Sequence, residues 1–221
     1  MTRPLLAALA AFLLTPIVAA LVVHPDAPYV LYRWSIRHQL DAVDPEADTL
    51  LLGASVLARW PERSPDTYGL FGAGVQNLAK PGMRAADLAG NLPLRTTTRR
   101  IVLDIGNGDL RHDHRPPLDV AVDVAAIVES LVASTDAHVW VLAILPTPGQ
   151  EDEVEATNTW TASLLAGYRP DRVTWVDVYV PLGPETMRAD GYHPNAEGYR
   201  QLGEQIREAL AQDSGFVAVS P

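Results

Sequence analysis

The sequence predicts a doubly wound α/β sandwich, in which a mainly parallel sheet of five strands carries helices on both faces. Three observations carry this. Five short apolar runs bounded by turn residues fall between positions 49 and 180, each of a length suited to a buried strand. Segments of helical period separate them, and strand–helix–strand alternation builds parallel sheets covered on both sides. A chain of 221 residues, 48% hydrophobic and 20% charged, holds material for one good core and shows no second domain-sized block.

The elements follow in order. The first strand is TLLLGAS, residues 49–55, and its continuation GASVLARW places Ser55 at a strand-to-helix turn. GVQNLA, residues 74–79, is the second; it leads through a turn at Gly82 into the helical segment RAADLAGNL. RIVLDIG, residues 100–106, is the third, followed by a glycine and asparagine cluster and the long helical pattern LDVAVDVAAIVESLVAS. HVWVLAILP, residues 138–146, is the fourth, with helix EVEATNTWTASLLAGY after it. VTWVDVYV, residues 173–180, is the fifth, and NAEGYRQLGEQIREALAQ closes the domain as a helix opened by Asn195 and Glu197. Trp140 and Trp175 fall inside strand patterns and are expected in the core. Trp60, on the helix after Ser55, is expected to line a pocket, with packing against the next strand as its rival role.

Ahead of the sheet, residues 4–23 are uncharged and apolar, long enough for a hydrocarbon core that needs about 20 residues. Signal-peptide cores are shorter, about 7 to 15 residues. Residues 1–25 therefore read as a signal anchor, or as a signal peptide if cleaved, with Arg3 holding the short end in the cytoplasm and the remainder exported. Pro16 is tolerated in such a helix. Residues 26–47 form a juxtamembrane segment, whose Tyr29, Tyr32 and Trp34 sit at the interface or start the core. The α/β domain spans 48–212, and 213–221 is a loose tail.

Composition excludes several functions. The formal net charge is −10 and no basic patch appears, which opposes a nucleic-acid partner. Without cysteine there are no disulfides, thiolate metal sites or Cys nucleophile. RHDHR offers His112, Asp113 and His114, but no H-E-x-x-H or further histidine cluster supports a metal, and a solvated loop is the expectation. No Walker-type glycine loop exists, which opposes a phosphate-loop reading of GNGD; no cofactor is expected.

Ligands of such sheets bind at the carboxyl ends of the strands. There the chain places Ser55, Gly82, the cluster Gly106, Asn107, Gly108, Asp109, and the pair Asp190 and His193. Serine needs a base to become a nucleophile, and the base needs an orienting carboxylate; Ser55, His193 and Asp190 supply the three types. The backbone N–H groups of Ser55 and Gly82, with the Asn107 side chain, are the candidate donors to a tetrahedral oxyanion. Each has a plain rival: Ser55 fits a helix N-cap, the glycines fit turns, and Asp190 fits a local turn beside a surface His193. The α/β-hydrolase elbow G-x-S-x-G is excluded by Leu57.

Together these blocks resemble the SGNH, or GDSL-like, hydrolase family. LLLGASVLARW is similar to its serine block, NLAKPGMRAADL to its glycine block, IVLDIGNGDLR to its asparagine block, and DGYHPNAEGY to its terminal D-x-x-H-P block. The resemblance spans about residues 49–210. It implies a flavodoxin-like three-layer α/β/α fold, Ser55 as nucleophile, His193 as base, Asp190 as its partner, Gly82 as oxyanion donor, no metal, and ester, thioester or acylated-glycan substrates. Two departures stand out: Ala54 replaces the family's frequent aspartate, and Gly108 occupies the usual asparagine slot, leaving Asn107 one residue early. The expected function is an exported, membrane-tethered serine esterase acting on an O-acyl glycan, lipid or small ester. The alternative is a hydrolase-like glycan-binding module or an O-acyltransferase with weak or no hydrolysis.

Overall fold

The computed structural model describes residues 27–94 and 96–211. The chain clusters into two compact units, residues 1–38 and 39–221. In the first, helix α1 begins (Ala27–Asp41), and Trp34 stacks on His38 with ring centroids 5.1 Å apart while remaining 62% exposed. Trp34 is thus not a core residue. The apolar run 4–23 and the tail 213–221 lie outside the described residues; among those described, no helix is long and apolar enough to cross a membrane.

The second unit holds a five-stranded sheet in the order β2-β1-β3-β4-β5, every pair parallel. The strands are β1 (Thr49–Gly53), β2 (Val75–Asn77), β3 (Arg100–Asp104), β4 (His138–Leu142) and β5 (Val173–Val176). Helices α2 (Ser55–Arg63), α3 (Pro65–Tyr68), α4 (Ala85–Ala89), α5 (Asn107–Asp113), α6 (Pro117–Ser134), α7 (Glu151–Leu165) and α8 (Ala196–Ala211) connect and follow them. This is the flavodoxin-like order, and its switch point lies between β1 and β3, where ligands of such sheets bind.

Five parallel strands stand where five apolar runs predicted them, but each is shorter. β4 ends at Leu142, whereas Ala143, Ile144 and Leu145 are buried at 1–4% exposure in the loop beyond it. Apolarity reports burial, and burial continues past the last rung of the ladder. β1 is buried at every residue, as befits a strand covered on both faces. On one face Leu51, Val102, Trp140 and Leu142 pack with Leu57 and Trp60 of α2 and Tyr199, Leu202 and Ile206 of α8. Alternation turns Leu50, Ile101, Leu103 and Val139, all fully buried, to the opposite face, where α4 packs on α6 and α6 on α7.

Three expectations change. Trp60 lines no pocket: it is fully buried, its ring 5.4 Å from Phe71 and 5.1 Å from Tyr199, and its indole N–H donates to Thr67 Oγ1 at 2.8 Å. Trp175 keeps its core role only in part: on an edge strand, it packs against the core cluster but is only partly buried, and lines a cavity of about 800 Å³ with Ile144, Asn158, Tyr179 and Leu182. An edge strand has one flank without a neighbour to cover its side chains. Finally, RHDHR is not a loop. Its first three residues end α5, Asp113 pairs with Arg84 at 2.8 Å, and His114 terminates the helix at φ 49°.

Candidate active site

β1 delivers the serine. Gly53, at φ +132°, lies so close to β3 that an added Cβ would stand 1.8 Å from the Asp104 carbonyl oxygen, a position only glycine fills. The Ala54 N–H donates to that same carbonyl at 2.8 Å, and α2 starts at the next residue. Ser55 is therefore the first helical residue, and Ala54 occupies the cap position. This overturns the N-cap reading and leaves the Ser55 hydroxyl available to the terminal loop.

That loop supplies the partner. His193 Nε2 lies 2.9 Å from Ser55 Oγ, across 138 residues of sequence. His193 Nδ1 lies 3.0 Å from Asp190 Oδ2, while Asp190 Oδ1 accepts the N–H groups of Tyr192 at 2.9 Å and His193 at 3.0 Å. With Nδ1–H donating to the carboxylate, Nε2 carries the lone pair and faces the serine hydroxyl. Desolvation draws the Asp190 carboxyl upward, but those two N–H groups and the imidazole outweigh it and hold it at about 2. The orienting acid is thus charged at any pH where an imidazole is neutral.

The loop is itself pinned. Asn195 Oδ1 accepts the Gly198 N–H at the start of α8, and its amide donates to the Glu185 carbonyl at 3.0 Å. The Tyr199 hydroxyl donates to the Val56 carbonyl at 2.9 Å, tying α8 to the first turn of α2. These bonds lock the base-bearing loop to the serine-bearing helix.

The second and third blocks meet beside them. Gly82 adopts φ +79°. A Cβ on Gly108 would come within 3.3 Å of the Met83 carbonyl oxygen, so α5 presses directly on the Gly82 loop. Asp109, fully buried, fastens the contact by accepting the Ala85 N–H at 2.9 Å and pairing with Arg115 at 3.3 Å. Burial pushes its carboxyl up, against the pull of that N–H and guanidinium. The chain turns at Gly106, at φ +116°, whereas Gly108 is helical and serves close approach. Asn107 is the first residue of α5, and its side-chain N–H donates to Thr147 Oγ1 at 2.8 Å.

Sequence reasoning passed over Asp104 and Asp109. Both read as ordinary polar residues at a strand end and in a turn cluster; only the fold shows them buried. Asp104 is 5% exposed, accepts the Leu57 N–H in the first turn of α2, and its Oδ2 has no partner within the protein. Burial raises its carboxyl from 3.8 to about 6, against that N–H. A folded value above the unfolded one means stability present below the unfolded value and lost as pH rises through the folded one. Asp104→Asn removes that loss. Its stability relative to the parent is expected to improve by about 2 kcal/mol between pH 4.5 and pH 8 in urea titrations, and a pH-independent difference would refute the assignment.

The arrangement can carry out nucleophilic acyl transfer: a serine, a base within hydrogen-bond reach, and an acid orienting the base. Comparisons agree. Solved structures share the fold: a protein from Streptococcus pneumonia whose description names platelet activating factor (21% identity, TM-score 0.66, covering 80% of this chain and 90% of that one); a carbohydrate esterase family 3 protein from Talaromyces cellulolyticus (20%, TM-score 0.57, 74% and 96%); and a member of the lipolytic G-D-S-L family from Veillonella parvula DSM 2008 (15%, TM-score 0.58, 74% and 98%). No curated protein matches the chain. The model of the GDSL-like lipase/acylhydrolase family matches residues 37–201, which is most of the chain, so this protein belongs to that family and is an ester hydrolase.

Proposed function

We propose that the protein is an exported, membrane-tethered serine esterase in which Ser55 is the nucleophile, His193 the general base and Asp190 the acid that orients it. The continuous relay from Ser55 Oγ through the imidazole to Asp190, at 2.9 and 3.0 Å, carries this reading. Ser55 Oγ attacks the acyl carbon while His193 Nε2 takes its proton. The oxyanion is held by the backbone N–H groups of Ser55 and Gly82 and by Asn107; the N–H of Ser55, at a helix start, has no intrahelical acceptor. Collapse expels the alcohol, which receives the proton from His193, and water repeats the sequence to release the acid.

Residues 48–212 make up the hydrolase domain in this reading, and residues 4–23 tether it to the membrane. An O-acyl glycan is the substrate class favoured here, because a carbohydrate esterase family 3 protein shares the fold. The test is hydrolysis of short-chain aryl esters and acetylated oligosaccharides by the full-length protein in detergent, beside Ser55→Ala. Protease protection in intact cells tests the topology: a domain shielded from external protease is not exported.

One observation favours a second reading, a glycan-binding module or O-acyltransferase with weak hydrolysis. Gly108 stands in the family's asparagine slot, and the Asn107 amide already bonds Thr147. Asn107→Ala tests the shifted donor. It is expected to lower kcat about a hundredfold if the remaining amide hydrogen serves the oxyanion; an unchanged kcat assigns Asn107 to the loop alone.

A further inference from the structure

Among the described residues, Arg111 pairs with no carboxylate. Its guanidinium carbon lies 3.4 Å from the centroid of the Tyr192 ring, the residue next to His193. Among the described residues, the neighbouring carboxylates are engaged elsewhere: Asp109 with Arg115 and the Ala85 N–H, Asp113 with Arg84, and Asp190 with His193 and the Tyr192 N–H. Arg111 lies one helical turn beyond Asn107, on the same side of α5. The loop after β4 closes the junction: Gln150 donates to the Leu110 carbonyl at 3.1 Å, and a Cβ on Gly191 would lie 3.4 Å from Pro148. The loops after β3, β4 and β5 therefore meet beside α5, and the last of them carries Tyr192 and His193.

Stacking uses the face of a guanidinium and leaves its N–H donors in the plane, in the fork that matches a carboxylate or phosphate. An aromatic ring beneath removes part of its hydration, which strengthens a charge-assisted bond at that edge. The chain's formal net charge of −10 does not forbid an anionic ligand here, because distant carboxylates are screened beyond about 8 Å at physiological ionic strength.

We infer that Arg111, held on Tyr192, is a specificity-determining residue that binds a second, anionic group of the ester substrate, a carboxylate or a phosphate. This rests on Ser55 and His193 as the reacting pair. Two matched pairs of substrates test it with the full-length protein. One places the anion on the acyl side (4-nitrophenyl hemisuccinate against 4-nitrophenyl butyrate), the other on the alcohol side (acetyl glycerol phosphate against monoacetyl glycerol). The parent is expected to prefer the anionic member of at least one pair. Arg111→Gln should cut that preference at least tenfold, mostly through KM, and Arg111→Lys should retain part of it, since lysine keeps the charge but loses the fork. No preference in the parent for either pair, or an equal loss on both members in Arg111→Gln, would overturn the assignment. Calorimetric binding of the matching product anion, succinate or glycerol phosphate, reads the same residue without turnover. Weaker binding in Arg111→Gln supports the site even if Ser55→Ala stays active and the serine mechanism fails; equal binding to parent and variant rejects it.

Discussion

Ser55→Ala is expected to lower kcat by about a millionfold while leaving the protein folded, and His193→Ala to do the same. In the proposed mechanism the serine oxygen and the imidazole nitrogen, 2.9 Å apart, act as one unit, so either loss would remove covalent catalysis altogether. What survives is the binding and oxyanion contribution, about a thousandfold or more over water. The double replacement should therefore be no slower than either single one. A double variant slower by the product of the two effects would mean that the residues act separately and that the 2.9 Å contact is not the reacting pair. Ser55 begins α2 with no side-chain capping bond to lose, so thermal unfolding of Ser55→Ala should match the parent.

Asp190→Asn carries the second largest effect, a fall in kcat of about ten-thousandfold. An amide of the same shape still accepts the Tyr192 and His193 N–H groups through its oxygen, so the loop keeps its turn. Its other end is now a donor facing Nδ1. The imidazole then holds its proton on Nε2, the nitrogen that must accept from Ser55, and the base is lost without disturbance of the backbone. The loss should persist across the pH range, because the parent carboxyl sits at about 2 and does not titrate where the enzyme works. Activity of Asp190→Asn within tenfold of the parent would move the orienting role elsewhere.

The candidate site residues were legible because their types are rare in combination. Ser55 after a strand, and Asp190 three residues before His193 at a helix mouth, offered the types of a nucleophile, an acid and a base on loops that the strand alternation would bring to one sheet edge. The five strands were legible for the same kind of reason: an apolar run such as TLLLG has few places to go in water except the middle of a sheet. Trp60 was misplaced, and Trp175 placed only in part, because their burial depends on what lies across from them. Trp60 meets Tyr199, far away in sequence, and Trp175, though packed on the core, belongs to a strand that has a neighbour on one side only. Asp104 and Asp109 gave no local signal, since a carboxylate reads as polar until the fold encloses it.

From its sequence alone, then, this chain determined its strand alternation, its fold class and the residue types available for acyl transfer, because hydrophobic period and turn chemistry act over a few neighbouring residues. The tertiary structure decided the rest. It set the strand order that puts β1 beside β3, the Gly53 and Gly108 contacts that press three loops together, the exclusion of Ser55 from the cap position, and the stacking of Arg111 on Tyr192. Each of these depends on groups tens of residues apart meeting within a few ångströms, and no local pattern encodes such distances.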